Sequence, residues 1–238
     1  MKNNNLGSVK QIDWTNEQIA FFWDWKALNH NDYFTETAGL GILERAKSLF
    51  PRQTADVLDF GSGPGFLTRL LVESFDKVYA LDNSEASLEV LRDSIPNLMG
   101  AFNFRDSSVI GDLKVDAVFL IETIEHLDHE AKKTVFEIIK SVLRPGGFVF
   151  VTCPNSEDLI ANTVCCPNCR TEFHRMQHVS TYSEAKLIDE LVGLGVGEVI
   201  TGTTNFRYRL TQQKLKGLLA RFTGRKLPHL YACGTMNK

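Results

Sequence analysis

The sequence predicts an α/β fold: a doubly wound, mostly parallel seven-stranded sheet with helices on both faces and a helical cap at its N-terminus. Three observations carry this. Short apolar runs alternate with helix-periodic segments about five times between Ala55 and Thr152, the pattern of β-α units. One of them, Val57-Leu58, breaks into Gly61, Gly63 and Gly65 and passes at once into a helix with Phe66, Leu67, Leu70 and Leu71 on one face. The runs Val115–Ile121 and Phe148–Thr152 read as strands buried in a parallel sheet.

Taken in order, residues 1–10 are polar and asparagine-rich, with neither a signal peptide nor a place in the fold. From Trp14 to Phe50 apolar residues recur at three and four, predicting two helices capped by Thr15 or Asn16 and closed by Pro51. Residues 1–51 are therefore expected to form a cap, aromatic through Trp14, Trp23, Trp25, Tyr33 and Phe34. It either packs passively or lids a pocket. Residues 52–238 form the second unit. Lys77–Asp82 is its second strand and Ser84 caps a helix through Leu91. Phe102–Asp106 is a weaker third strand. After the strands at 115 and 148, an irregular insertion spans 154–179. Gly197–Ile200 and His229–Ala232 add edge strands, the last antiparallel. Thr211–Lys226 is a basic amphipathic helix whose Leu215, Leu218, Leu219 and Phe222 are expected to pack on the body rather than on a membrane or RNA.

The chain has 238 residues, enough for a sizeable core, and a formal net charge of -3 argues against a general nucleic-acid coat protein. No apolar run approaches the ~18 residues of a spanning helix. The expected compartment is cytoplasmic, where cysteines serve metals or catalysis more often than disulfides.

A glycine turn between strand and helix lets the backbone approach a ligand closely, with the new helix's N–H groups facing it. The run is D-x-G-x-G-x-G, and Phe66 stands where a dinucleotide fingerprint needs its third glycine. Asp82, at a strand's carboxyl end, suits the two hydroxyls of a ribose. This pattern, with the strand ending in Glu122 and with Leu143-Arg144-Pro145-Gly146-Gly147, resembles the class I S-adenosylmethionine-dependent methyltransferases over about Ala55 to Ile200. The resemblance implies a Rossmann-like fold and S-adenosylmethionine as cofactor. It would be held by Asp59, Phe60, Gly61, Gly63 and Gly65 at the methionine end, Asp82 and Asn83 at the ribose, Asp106 at the adenine and Glu122 along its edge.

Glu122-x-x-Glu125-His126 with a later His178 resembles the ubiquinone-biosynthesis O-methyltransferases and their small-molecule relatives, and also the small-RNA 2′-O-methyltransferases. The resemblance implies that Glu125, His126 and His178 serve the acceptor and that, with Glu122, they hold a divalent cation such as Mg2+. Without a cation His126 would act as general base. In the competing reading the glutamates line the cofactor edge and His126 satisfies a backbone group. The implied activity is O-methylation of a small metabolite, a saccharide, phenol or secondary metabolite. An RNA-directed enzyme and a non-catalytic partner protein are the alternatives, and no appended RNA-binding domain is visible. Within the insertion, Cys166-Pro167-Asn168-Cys169 is half of a tetrahedral zinc site, whose partners would come from His174 first, then His178 or Cys165. A redox pair and plain loop cysteines are the rival readings.

Overall fold

The computed structural model describes residues 9–29, 33–50, 53–106 and 110–236. Residues 1–8, Pro51 and the cap boundary at 51/52 lie outside them. In chain order the elements are β1 (Lys10–Gln11), α1 (Asn16–Asn29), α2 (Phe34–Lys47), β2 (Asp56–Phe60), α3 (Phe66–Val72), β3 (Lys77–Asp82), α4 (Glu85–Ser94), β4 (Gly100–Asn103) and β5 (Val115–Ile121). They continue with α5 (His129–Val142), β6 (Leu143–Pro154), β7 (Thr163–Cys165), β8 (Thr171–His174), α6 (Glu184–Gly193), β9 (Val196–Thr204), α7 (Leu210–Thr223) and β10 (His229–Met236).

Seven strands form one sheet in the order β4-β3-β2-β5-β6-β10-β9. Every pairing from β4 to β6 is parallel, while β10 runs antiparallel to both β6 and β9. Side chains alternate between two cores, as strand geometry requires. Val118, Leu120, Val149 and Val151 pack with Phe136 and Ile139 of α5 and Leu187 of α6. Ala117, Phe119 and Phe150 pack with Ile42 of α2 and Leu67 of α3 on the other face. The helices start where their caps allow. Thr15 Oγ1 accepts from Gln18 N at 3.2 Å and Gln18 Oε1 accepts from Thr15 N at 3.0 Å, a reciprocal box opening α1. Ser84 and Asp128 cap α4 and α5 one way, their side chains accepting from Ser87 N and Ala131 N.

At the sheet's amino end, Arg144 bonds Asp116 Oδ1 at 2.7 Å and Asp56 Oδ2 at 2.6 Å. Asp116 Oδ2 in turn accepts from Ala55 N and Asp56 N. The Arg-Pro-Gly-Gly run thus ties the starts of three neighbouring strands.

The sequence expectations need four corrections. His229–Met236 is an interior strand, not an edge. It inserts between β6 and β9, and Leu230, Ala232 and Cys233 are buried against both neighbours. The third strand is Gly100–Asn103 and stops before Asp106. The insertion is not irregular. Its β7–β8 hairpin joins β1 in a small sheet, which brings Lys10 into the fold. Finally, the four large apolar residues of α7 face outward, from 52% exposed at Leu218 and Leu219 to 81% at Phe222.

Candidate active site

The carboxyl ends of β2, β3 and β5 open onto a cavity of about 920 Å³, the place where doubly wound sheets bind ligands. Ile19, Trp23 and Lys26 of α1 form one wall, and Met176–Val179 another. The glycine turn forms its floor. Gly61 has φ +76, and a Cβ there would sit 2.5 Å from Thr123 Oγ1. Gly63 also lines the cavity. Gly65 does not: its missing Cβ makes room for Leu91 of α4 and Ile95 just after it, at 3.1 and 3.0 Å.

The carboxylates on this floor are satisfied by the protein itself. Asp59, 2% exposed, accepts from Thr68 Oγ1 at 2.7 Å. Burial pushes its carboxyl up to about 7, against that hydrogen bond and helped by the nearby Asp82. Asp82 accepts from Gly63 N at 2.7 Å and Ser84 N at 2.8 Å, and burial also raises it. Asn83 Oδ1 is buried without a hydrogen-bond partner and lines the cavity. Phe60 lines it too, its ring 5.6 Å from Phe104. Asp106 is exposed and stands outside the lining.

The other end of the cavity is different. Glu122 has φ +48, a strained value for a non-glycine residue. Its N–H bonds Thr152 O at 3.1 Å and its Oε1 accepts from Thr152 Oγ1 at 2.8 Å, which hold it there. Three residues on, Glu125 is 1% exposed and neither carboxylate oxygen has a partner. Burial, then repulsion from Glu122, holds its carboxyl well above the usual range. His126 lies edge-on against Trp23 at 4.9 Å between ring centres. Burial and the neighbouring His178 push it down to about 3, despite the carbonyls of Gln177 and Glu122. Ligand atoms of Glu125, His126 and His178 all lie within 4.8 Å of one another.

Proton positions follow from the partners. Gln177 O, 3.4 Å from His126 Nδ1, can only accept, so the proton is on Nδ1 and Nε2 keeps its lone pair. His178 Nδ1 bonds the Glu157 carboxylate, which likewise leaves Nε2 free. His174 Nδ1 accepts from Met176 N at 3.3 Å and His178 N at 3.2 Å. Its proton is therefore on Nε2, which faces Glu157 Oε1 at 3.4 Å. Glu125, His126 and His178 thus bring together a partnerless carboxyl group and two imidazoles whose Nδ1–H groups are already committed. That arrangement fits a cation, or a hydroxyl that donates.

The expected Cys166–Cys169–His174 set is not brought together. His174 is buried at the end of β8, stacked on His178 at 4.4 Å, with Nε2 facing Glu157 Oε1. Cys169 is exposed near the hairpin tip, its Sγ bonded to Thr171 Oγ1 at 3.4 Å. Among the described residues the cysteines belong to no group of three potential metal ligands. The general-base reading of His126 also changes, because an imidazole held near 3 stays neutral and accepts a proton poorly.

Sequence reasoning missed Glu157, Gln177 and Asp24. Gln177 receives Trp23 Nε1 at 3.0 Å and donates to His126 O at 3.2 Å, joining cap, helix and insertion. Asp24 accepts from Ser84 Oγ at 2.6 Å and so ties α1 to the turn after β3. Gln177 stands in the run Cys166-Pro167-x-Cys169-x-x-x-Phe173-His174-x-x-Gln177-His178, which gave it no role, while Glu157 and Asp24 belong to no motif; only the facing elements give them meaning.

Residues 57–147 match a family model described as a methyltransferase domain. An uncharacterised methyltransferase of Mycobacterium tuberculosis is 31% identical over 119 residues, 46% of this chain and 48% of that protein. The mitochondrial ubiquinone biosynthesis O-methyltransferase of Schizosaccharomyces pombe is 25% identical over 160 residues, 63% of this chain and 57% of that protein. The chain thus spans about half the length of the curated relatives it matches. Among solved structures, the DhpI–SAH complex superposes with a TM-score of 0.65 at 22% identity, covering 94% of this chain and 98% of that one. The methyltransferase-domain match over 57–147, the methyltransferase relatives and that strand order around the glycine turn support a class I S-adenosylmethionine-dependent methyltransferase.

Proposed function

We propose that this chain transfers a methyl group from S-adenosylmethionine to an oxygen of a small-molecule acceptor. The observation that carries the reading is the convergence of Glu125, its carboxyl without a partner, with His126 and His178 beside a glycine turn that can cradle the cofactor. S-adenosylmethionine, when bound, supplies the sulfonium methyl. The turn at Gly61 and Gly63 lets backbone approach its methionine end, with Asp59 beneath. Asp82 keeps lone pairs for ribose hydroxyls beyond the two N–H bonds it already accepts, and Asn83 Oδ1 awaits a donor. Glu122 lies along the edge.

On the acceptor side, His178 is placed to take the proton. Its Nε2 holds the lone pair, and Glu157 stands behind Nδ1–H to stabilise the imidazolium, as a carboxylate does behind a histidine base. His126, kept neutral, and Glu125 orient the hydroxyl. The donor set also fits a divalent cation at Glu125, His126 and His178 with Glu122 near, and a bound cation would lower the hydroxyl's pKa. Trp23 and Gln177 close the wall and exclude water. Supporting an oxygen acceptor is the likeness to the yeast ubiquinone biosynthesis O-methyltransferase.

The test is calorimetric titration with S-adenosylmethionine, followed by a search for methyl transfer from isotope-labelled cofactor to hydroxylated small molecules by mass spectrometry. Asp82→Ala should weaken cofactor binding by about 1–3 kcal/mol, the cost of losing charge-assisted hydrogen bonds. Wild-type protein that binds no cofactor would sink the reading. Labelled methyl found only on nitrogen or carbon would remove its oxygen half.

A further inference from the structure

Helix α7 is built inside out. Its buried or half-buried positions after Leu210 are Gln213, Gly217 and Ala220, one stripe at helical spacing, small or polar. Gln213 is 2% exposed and anchors that stripe, its Nε2 bonded to Gly41 O at 2.9 Å and Tyr208 O at 2.8 Å. The opposite stripe, Leu215, Leu218, Leu219 and Phe222, runs at i, i+3, i+4 and i+7 and is 59%, 52%, 52% and 81% exposed. A helix serving only its own fold places its apolar stripe inward. Four large apolar side chains aligned in water mark a contact surface.

The charges around the stripe select its occupant. Between Leu210 and Lys226 there is no acidic residue, whereas Lys214, Lys216, Arg221, Arg225 and Lys226 are basic and exposed. Helical spacing sets Lys214 and Arg221 along one border of the stripe and Lys216 along the other. This concentration stands in a chain of net charge -3, so it is local. A second copy of the same helix would set cation against cation. An anionic bilayer accepts both parts: the leucines and phenylalanine enter the acyl boundary while lysine and arginine stems reach the phosphates.

We propose that α7 docks the protein on anionic lipid surfaces through Leu215, Leu218, Leu219 and Phe222, with its basic borders on the headgroup phosphates. This does not rest on the methyltransferase reading. The experiment is sedimentation of the full chain with vesicles containing phosphatidylglycerol, against vesicles of phosphatidylcholine alone. Binding should follow the anionic lipid and weaken with salt. Leu219→Glu/Phe222→Glu should lower it at least ~10-fold. Because both side chains are exposed, that variant should keep the wild-type melting temperature and cofactor affinity. Wild-type protein that ignores anionic vesicles would overturn the proposal, as would binding indifferent to the double substitution. Inorganic phosphate that displaces the chain from vesicles, with the stripe variant unaffected, would reduce the site to an anion patch. A dimer in sedimentation velocity that the same variant dissolves would assign the stripe to a second copy.

Discussion

The two ends of the cavity handle buried carboxylates in opposite ways. On the glycine side, Asp59 is bonded to Thr68 and Asp82 to two backbone N–H groups. At the Glu125 end, a carboxylate just as buried has no partner on either oxygen. An unpaired buried polar group costs on the order of 1–3 kcal/mol, so such a group persists where something outside the chain completes it. At the first end the fold satisfies the carboxylates, and at the second it leaves one for a ligand.

The largest expected effect tests that contrast at Glu125. Glu125→Gln removes the charge that ligand or cation would need. Activity should fall by ~10²–10⁴-fold, while the ligand-free protein melts at the same temperature or higher. A fall in stability with activity intact would assign Glu125 to the fold and dissolve the comparison. Asp82→Ala is the control on the glycine side, since there both cofactor affinity and melting temperature should drop.

Glu157→Gln comes next. The amide no longer fixes the proton on His178 Nδ1, so a loss of about 10–100-fold in activity or cation affinity is expected. The measurement that separates positioning from plain stability is the ¹⁵N chemical shift pattern of the histidine ring, which reports the tautomer. An unchanged His178 tautomer in the variant would count against the relay.

Asp59 offers a pH test. Its carboxyl in the folded protein, raised to about 7, lies above the 3.8 of an unperturbed aspartate. It therefore contributes stability in full below the unfolded value, and that contribution is lost as pH rises through about 7. A cationic cofactor beside it inverts the dependence: affinity should rise with pH through about 7, and binding should release a proton. Calorimetry in buffers of different ionisation heat measures both, and an affinity flat across neutrality would separate Asp59 from the cofactor.

The smallest effect is predicted for Cys166→Ser/Cys169→Ser. With His174 facing Glu157, these thiols carry little of the fold, and the variant should stay within ~0.5 kcal/mol of wild type. A larger loss, reproduced by chelator, would restore a metal at the hairpin.

Much of this protein was legible in its sequence because the features are local. The continuous apolar runs of β5 and β6, the glycine spacing after Phe60, and the caps at Thr15 and Ser84 each act within a few residues. Their physics needs no distant partner. The sheet order, the interior place of His229–Met236 and the outward face of α7 depended instead on which surfaces meet. The candidate site divides the same way. Asp59, Asp82 and Glu122 stand at strand ends that sequence alone locates. Glu157, His174 and His178 converge only because a hairpin folds back over the cavity, and Asp24 and Gln177 matter only because α1 closes on it. No pattern within a short window encodes a contact between elements more than a hundred residues apart. Tertiary packing decided those contacts.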